Sequence, residues 1–269
     1  MPLGKSPLTS RRNPIVARYR DVARRDAEGL LLLDGPHLVA DALAAGITIE
    51  HAVVASDATG DAEIRPLLAQ LSARGIDTAL ASSTVMAGVS PPRSPSAIVA
   101  IAHRPNTDIG RAYSAPSPLL LIVSDIQDPG NMGAIVRVAE AAGASGVLAA
   151  GVSADPFGWK ALRGSMGSTL RLPVLRVDDL ERAVADARGR GCRVVATAPR
   201  GGRSVFEVDL KPPTAVLVGG EGQGLPPALI AAADERITIP MQAPVESLNA
   251  AVTAAIVVYE ARRQRTIDT

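Results

Sequence analysis

Three loops of the sequence combine glycines with polar or charged side chains, and each follows a short apolar segment. Asn131 and Arg137 belong to the first loop and the helix after it, and Glu221 lies in the second. Ser247 and Asn249 lie in the third loop, before a long C-terminal helix. Parallel α/β sheets bind ligands in loops at the carboxyl ends of their strands. The three loops are therefore the candidates for a ligand site.

Each of these residues also has a purely structural interpretation. Asn131 could be a helix N-cap, Glu221 could stabilise the start of the next helix, and Ser247 is a natural N-cap for the C-terminal helix. Arg137 could be an ordinary exposed side chain. We expect it to point away from the core, because an apolar stripe at helical spacing must face the sheet. That stripe consists of Ile135, Val138, Ala139 and Ala142.

The second loop is rich in glycine, which lets a backbone approach a ligand closely and adopt positive φ. Gly220, Gly222 and Gly224 alternate along it. A dinucleotide-binding fingerprint requires G-x-G-x-x-G, and a P-loop requires a Gly-Lys-Ser/Thr ending. Neither pattern is present, which disfavours the rival interpretation of a nicotinamide-dependent oxidoreductase.

The elements around these loops predict two α/β domains. Residues 1–105 alternate helical and strand-like segments, and residues 106–117 are rich in Pro, Ser, Asn and Gly, as expected of a linker. Residues 118–269 contain longer apolar strands, at 119–124, 146–150, 194–198 and 214–220. Nearly continuous apolar strands indicate burial on both faces, and hence a mostly parallel sheet between helices.

Composition limits the partners. Lys and Arg number 28 against 27 Asp and Glu, so nucleic-acid binding has to come from local clusters. One cluster is the basic arm near the N-terminus and the other consists of Lys160, Arg163 and Arg171, although either could be a solvated surface. Aromatic residues make up 2% of the chain, which favours phosphate and shape contacts over base stacking. The basic arm comprises Lys5, Arg11, Arg12, Arg18, Arg20, Arg24 and Arg25.

Other features predict a soluble cytoplasmic protein without a metal site. The single Cys192 cannot form an internal disulfide, and the N-terminal residues lack the apolar core of a signal peptide. Charged residues or prolines interrupt each apolar run before it could span a bilayer. The three histidines have no ligand-like spacing to one another or to the cysteine.

The C-terminal helix predicts a homodimer. Val252, Ala255, Ile256 and Tyr259 form one apolar stripe, and the remaining faces are apolar too. A helix of this kind is buried on more than one side. One side should meet its own sheet, and a second subunit or the N-terminal domain should cover another.

The order of the loop motifs carries a family resemblance. N-x-G-x-x-x-R, then G-x-E-G-x-G-L, then I-P-M followed by E-S-L-N-A-A-V resemble the three motifs of SpoU/TrmH-type RNA ribose 2′-O-methyltransferases of the SPOUT superfamily. Residues 160–168 look like that family's segment between the first two motifs. The resemblance covers residues 119–265. Residues 10–14 and 33–36 resemble, more loosely, the ribosomal-protein-like RNA-binding domain often fused to it.

The resemblance implies a fold and a reaction. The catalytic domain would be a SPOUT-type α/β trefoil knot with a parallel sheet that dimerises and binds S-adenosylmethionine, preceded by a small RNA-binding domain. The substrate would be a ribose 2′-hydroxyl of structured RNA, with ribosomal RNA favoured over transfer RNA. A non-catalytic RNA-binding factor is the alternative, but it could dispense with Arg137, Glu221 and Asn249. The family usually has Asn, Ser, Ala or Thr before the glutamate of the second motif, where this chain has Gly220.

Site roles follow residue by residue from the same resemblance. Arg137 would lie nearest the 2′-oxygen, and we expect it to grip the adjacent phosphate and stabilise negative charge, since a guanidinium stays protonated far above neutral pH. The remaining catalytic positions are Asn131, Glu221, Ser247 and Asn249. The cofactor would contact backbone groups of Gly219, Ile239 and Leu248. RNA contacts are expected from Arg12, Arg24, Arg25, Lys160 and Arg163.

Overall fold

The computed structural model describes residues 7–24, 28–220, 222 and 224–266. In these ranges the helices are α1 (Pro14–Arg24), α2 (Pro36–Ala44), α3 (Ile64–Ala73), α4 (Ser83–Val89), α5 (Ile109–Ala112), α6 (Pro129–Ala141), α7 (Trp159–Ser165), α8 (Ser168–Arg171), α9 (Leu180–Gly189), α10 (Pro227–Ala232) and α11 (Ala250–Thr266). The strands are β1 (Leu30–Asp34), β2 (Ile49–Ala55), β3 (Asp77–Ala81), β4 (Ile98–His103), β5 (Leu119–Ser124), β6 (Gly146–Ala150), β7 (Val174–Arg176), β8 (Arg193–Thr197), β9 (Arg203–Ser204), β10 (Thr214–Gly219) and β11 (Glu235–Thr238).

The chain forms two compact units. The first comprises Met1–Asn106 together with Phe157–Leu170, and the second comprises Thr107–Pro156 together with Arg171–Thr269. The short helix α5 lies inside the segment expected to be a linker. The division at residues 106–117 stays a prediction about how the domains are organised.

A four-stranded sheet in the order β1-β4-β2-β3 forms the centre of the first unit. β4 pairs antiparallel with β1 and β2, and β2 pairs parallel with β3. Helix α1 buries Val16, Tyr19 and Val22. The Tyr19 hydroxyl lies 2.9 Å from Nδ1 of His51, and its burial raises the pKa of Tyr19 well above the ordinary value. His51 is thus a core histidine, 8% exposed.

Helix α7 belongs to the first unit, where it contacts β1. Arg163 of α7 donates from Nη1 to Oδ2 of Asp34 at 2.7 Å. The Asp34 side chain is 0% exposed, and its Oδ1 accepts a hydrogen bond of 2.7 Å from Ser90. A buried carboxylate needs such partners, because an uncompensated charge away from water is costly. Arg163 therefore has a structural partner inside this unit.

The second unit is built on a seven-stranded sheet in the order β7-β6-β5-β10-β8-β11-β9. Its strand pairs are parallel, as the apolar strands predicted. All six residues of β5 are buried. β10 pairs with β5 in a register that places Gly219 opposite Ser124, the last residues of their strands. The first and second loops therefore leave the sheet side by side.

Helix α6 is not capped by Asn131, which the sequence offered as a possible N-cap. Asp128 is its N-cap, and Oδ1 of Asp128 accepts from the backbone N of Asn131 at 2.8 Å. Pro129 occupies the first turn, where its missing N–H costs nothing. The predicted stripe faces inward, with Ile135 and Ala139 fully buried. Asp128, rather than Asn131, is therefore the N-cap of this helix.

Helix α11 also begins at an unexpected cap. Oδ1 of Asn249 accepts from the backbone N of Ala251 at 2.8 Å and of Val252 at 3.3 Å. Asn249, rather than Ser247, is therefore the residue that caps this helix. An asparagine directly before the first helical residue can accept from the next two or three N–H groups, which Ser247, two residues farther back, is too distant to do.

The faces of α11 divide its apolar residues into two sets. Helix α11 packs against α6 and β10. The stripe from the sequence analysis points outward, with Val252 46% and Tyr259 49% exposed. Ala255 and Ile256 between them are partly exposed. The residues buried in the chain itself are Ala250, Ala251, Ala254, Val257, Val258, Glu260 and Ala261.

In the part of the chain that the structure describes, no helix has the length and apolar character needed to cross a bilayer.

Candidate active site

A cavity of about 490 Å³ lies at the carboxyl ends of β8, β10 and β11. Backbone of the glycine-rich second loop, called here the glycine loop (Gly219, Gly220, Gly222 and Gly224), lines one part of this cavity. The third loop and the start of α11 line another part. Strand ends of a parallel sheet commonly form such sites, because the loops there diverge and leave a crevice. The lining includes Thr197, Ala198, Pro199, Val218, Gly219, Gly220, Gly222, Gly224, Leu225, Ile237, Ile239, Met241, Ser247, Leu248, Asn249, Ala250 and Thr253.

The glycine loop doubles back on itself at the cavity wall. Gly220 and Gly224 form an isolated antiparallel bridge, and Gly224 has a φ of +66°. A Cβ on Gly219 would lie 2.4 Å from the backbone carbon of Gly224, and a Cβ on Gly220 would lie 2.2 Å from the carbonyl oxygen of Asp125. Such distances are excluded for real side chains. These glycines are therefore required by close backbone approach, and they expose bare backbone to the cavity.

A second cavity, of about 400 Å³, adjoins the first. The two cavities share Gly220, Gly222, Gly224 and Ala250 in their linings. The glycine loop therefore forms a common wall between them. The rest of the second cavity consists of the first loop and one residue after β6: Asp125, Ile126, Gln127, Asp128, Asn131 and Val152.

One side-chain hydrogen bond joins the first and third loops. Nδ2 of Asn249 donates to Oδ1 of Asn131 at 3.1 Å. Because Oδ1 of Asn249 is engaged in capping α11, the orientation of its amide is fixed. The two asparagines lie 118 residues apart in the sequence and meet where α6 and α11 begin.

The predicted cofactor residues gather at the first cavity. Gly219, Ile239 and Leu248 line it, as do the predicted catalytic residues Ser247 and Asn249. Asn131 lines the second cavity. Glu221 lies outside the described residues.

Arg137 occupies a different position from the other predicted catalytic residues. It is exposed on α6, on the side opposite the buried stripe, as its spacing predicted. The residues that line the two cavities, over the described part of the chain, do not include it. Its catalytic role therefore stays a prediction.

Asp125 is a site residue that the sequence analysis missed. It has a φ of +59°, unusual for a residue other than glycine. Its Oδ1 accepts from the backbone N of Val152 at 2.9 Å, and its Oδ2 accepts from the Ser124 hydroxyl at 2.9 Å. These bonds hold the loop after β5 against the loop after β6. An aspartate directly after a buried strand was the available signal, since Asp tolerates left-handed backbone better than most residues.

The residues expected to bind RNA differ in their exposure and in whether another residue of the protein already contacts them. Arg12 and Arg24 are exposed, and Arg25 lies outside the described residues. Lys160 is exposed, and its ammonium lies 5.6 Å from the centre of the Trp159 ring. The guanidinium of Arg163 is paired with Asp34. Arg12, Arg24 and Lys160 thus remain the described candidates for phosphate contacts.

Comparison with family models decides the family. The model described as the SpoU rRNA Methylase family matches residues 118–259, more than half of the 269 residues. The chain belongs to this family. The resemblance to SpoU/TrmH-type RNA ribose 2′-O-methyltransferases is therefore confirmed, and this SpoU methylase is an RNA methyltransferase. Residues 16–100 match the model of the MRM3-like substrate binding domain, so the N-terminal substrate-binding domain is present.

Relatives of this SpoU methylase cover nearly its whole length. A protein of Synechocystis sp. (strain ATCC 27184 / PCC 6803 / Kazusa), named as an uncharacterized tRNA/rRNA methyltransferase, is 34% identical over 265 residues, or 96% of this chain and 94% of that protein. The 23S rRNA (guanosine(2553)-2′-O)-methyltransferase of Bacillus subtilis (strain 168) is 31% identical over 238 residues, or 88% and 90%.

A solved structure of the family contains the cofactor. The crystal structure of AdoMet-bound rRNA methyltransferase from Sinorhizobium meliloti superposes with a TM-score of 0.85, at 30% identity, over 96% of this chain and 97% of that one. This likeness confirms the α/β fold with its parallel sheet. The SpoU methylase family uses S-adenosylmethionine, and this chain is a member that uses the same cofactor.

The first cavity suits S-adenosylmethionine chemically. Ile239, Leu225 and Leu248 offer apolar surface for the faces of an adenine ring, and the glycine loop offers uncovered backbone groups for its polar edges and for the amino-acid part. A Cβ at Gly219 or Gly220 would collide with the protein's own backbone, so no side chain at these two positions covers the backbone groups that face the cavity. The residues present therefore fit the cofactor.

Proposed function

We propose that this SpoU methylase methylates a ribose 2′-hydroxyl of structured ribosomal RNA, acting as a homodimer in the cytoplasm. The proposal rests on one observation: two cavities share a glycine wall, and the Asn131–Asn249 hydrogen bond of 3.1 Å lies beside both. One cavity suits the methyl donor, and the other lies directly across the wall, where an acceptor has to be bound.

The bound cofactor supplies a methyl group on a positively charged sulfur; the methyl carbon passes to the 2′-oxygen, its bond to sulfur breaks, and the hydroxyl proton is released to water. A ribose hydroxyl is a poor acid, so the protein has to stabilise the negative charge that develops on this oxygen. Asn131 and Asn249 orient the ribose from their fixed positions at the two helix starts. Ser247 contributes its hydroxyl from the same loop, and Glu221 is the remaining proposed catalytic residue.

Arg137 stabilises the developing charge and holds the neighbouring phosphate. A guanidinium cannot act as a general base near neutral pH, but its planar fork binds two oxygens at once. Its exposed position on α6 leaves it accessible to an RNA backbone.

Ribosomal RNA is favoured over transfer RNA by three observations. The Bacillus subtilis relative is named for 23S rRNA, the family model is named for rRNA, and an MRM3-like substrate binding domain precedes the methylase domain. Arg12, Arg24 and Lys160 in the first unit supply exposed positive charge for phosphate contacts.

The homodimer is supported by the outward stripe on α11. Val252 and Tyr259 are large apolar side chains that are about half exposed in one chain. A self-complementary patch of this kind is what a two-fold dimer buries.

The test is transfer of radiolabelled methyl groups from S-adenosylmethionine to bacterial ribosomal RNA and, separately, to transfer RNA, with mapping of the alkali-resistant positions. We expect label in ribosomal RNA at a linkage that resists alkali, because a methylated 2′-oxygen cannot attack the adjacent phosphate. Label at alkali-sensitive positions would contradict ribose methylation, and label in transfer RNA alone would contradict the choice of substrate.

A further inference from the structure

The polar wall of the second cavity contains two consecutive residues without an assigned role, Gln127 and Asp128. We infer that this cavity receives the acceptor nucleoside and that Gln127 and Asp128 hydrogen-bond the Watson–Crick edge of its base, which makes guanosine the acceptor. The inference rests on the proposed function, because it names the nucleoside that the ribose methylation would modify.

Position is the first argument. The second cavity is separated from the cofactor cavity by the glycine loop, and Asn131 belongs to its lining. A nucleoside bound there has its ribose beside the Asn131–Asn249 pair and its base toward the first loop. Both Gln127 and Asp128 are exposed at that end.

The free hydrogen-bonding groups are the second argument. Asp128 uses Oδ1 to cap α6 through the backbone N of Asn131. Among the described residues, no hydrogen bond is directed at Oδ2 of Asp128 or at the carboxamide of Gln127. The cap fixes the carboxylate in place, so that one oxygen is held ready for an outside donor.

Chemical complementarity is the third argument. Guanine presents an acceptor, O6, next to two N–H donors, N1 and N2, along one edge. A carboxamide N–H at Gln127 matches O6, and the second oxygen of Asp128, Oδ2, which the cap of α6 does not use, matches the adjacent N1 and N2 donors. Uracil presents two carbonyl acceptors with one donor between them, and cytosine and adenine present an acceptor at the ring position where guanine has a donor. The pair at 127 and 128 therefore complements guanine best.

An apolar side chain completes the cavity. Val152 is 75% exposed in the chain and lines the second cavity. The hydrogen bond from its backbone N to Asp125 fixes its position. An exposed valine beside polar groups gives the face of a base a surface against which to pack.

Identification of the methylated nucleoside tests the inference first. Unmodified transcripts of bacterial ribosomal and transfer RNA are incubated with the enzyme and methyl-labelled S-adenosylmethionine, digested to nucleosides and separated by chromatography with mass detection. We expect the label in 2′-O-methylguanosine. Label in another 2′-O-methylnucleoside overturns this inference and leaves the proposed function standing, whereas no 2′-O-methylnucleoside in any transcript overturns both.

A pair of matched variants tests the residue. Asp128→Asn keeps an oxygen to cap α6 but replaces the carboxylate, and we expect kcat/KM on the guanosine substrate to fall about tenfold or more. Asp179→Asn changes the N-cap of α9, which accepts from the backbone N of Arg182 at 3.0 Å and lies outside both cavities. That control should keep its activity, and both variants should bind S-adenosylhomocysteine with unchanged affinity by calorimetry.

Substitution of inosine for the acceptor guanosine separates base contact from a structural effect. Inosine lacks the N2 amino group, so the wild-type enzyme should lose about tenfold in kcat/KM on it, and Asp128→Asn should lose little more than it has already lost. Equal losses on inosine for the wild type and for Asp128→Asn would overturn the inference, because they would show that Asp128 does not contact this group.

Discussion

Gly220 illustrates, at the scale of single residues, how this chain departs from its family and why. The family usually has a residue with a side chain at this position, yet here a Cβ would lie only 2.2 Å from the carbonyl oxygen of Asp125. Asp125 lies there because its left-handed backbone and its two hydrogen bonds fix the loop after β5. The glycine is therefore a consequence of where Asp125 lies.

Gly220→Ala should destabilise the protein and weaken binding of S-adenosylhomocysteine. The added methyl group would have to displace backbone, which costs about 2 kcal/mol of unfolding free energy. Gly222→Ala is the matched control in the same loop, because a Cβ at that glycine meets nothing within 4 Å. Thermal unfolding and calorimetry measure both effects. Equal behaviour of the two variants would show that the approach of Asp125 does not constrain the loop.

Arg137→Lys should lower turnover about a hundredfold while RNA affinity stays within a few fold. The lysine keeps the positive charge for the phosphate but loses the planar fork that holds two oxygens. Single-turnover methyl transfer and filter binding with the same RNA separate the two quantities. Near full turnover with unchanged RNA affinity would rule out the planar-fork role.

Two helices make contacts that their own sequences do not reveal. The C-terminal helix begins at Asn249, whose side chain both caps the helix and donates to Asn131. Helix α7 follows β6 of the parallel sheet in the chain, yet it packs on β1 of the first unit. In both cases the contact joins residues that lie more than a hundred positions apart in the chain.

Arg163→Ala on α7 should lower the unfolding free energy by about 2 kcal/mol, because it leaves the buried Asp34 carboxylate without its cation. This loss of unfolding free energy stays below that for a fully buried ion pair, since the Arg163 side chain is 44% exposed. Lys160→Ala, one turn earlier on α7, removes an exposed ammonium and should leave stability unchanged.

In RNA binding the order of the two variants should be reversed, with the larger effect in Lys160→Ala. Lys160→Ala should reduce the salt dependence of RNA binding, and Arg163→Ala should change it less, because its guanidinium is already paired. Denaturant unfolding and filter binding at several salt concentrations give both quantities. A larger loss of salt dependence in Arg163→Ala would restore it as an RNA contact.

At the scale of the whole molecule, the outward stripe of α11 is an apolar surface that the described residues leave about half exposed. Val252 and Tyr259 flank Ala255 and Ile256 along one face. Large exposed apolar patches mark interaction surfaces in many proteins. The family's dimerisation and its trefoil knot stay predictions for this chain.

Tyr259→Glu or Val252→Glu should convert a dimer to a monomer at micromolar concentration, since each places a charge in the proposed interface. Sedimentation velocity measures the change. Gln70→Glu adds the same charge at an exposed position on α3 and should leave the dimer intact. A monomeric wild-type protein at that concentration would contradict the proposal.

The strands could be predicted because their apolar residues are contiguous. The segments 119–124 and 146–150 match β5 and β6 residue for residue. Continuous burial on both faces leaves a contiguous apolar run, which is typical of the strands of a parallel sheet, and so the parallel sheet could be inferred too. The loop motifs identified the family for the same reason, since the residue types at their spacing are specific.

Tertiary structure alone decided which groups face each other. The hydrogen bond between Asn249 and Asn131, the pairing of Arg163 with Asp34 and the contact of Gly220 with Asp125 each depend on a register or a packing choice made elsewhere. Local sequence fixes backbone preference and the direction of burial, but a hydrogen bond between residues more than a hundred positions apart depends on the order of strands in the sheet. That order is set by the packing of the whole domain.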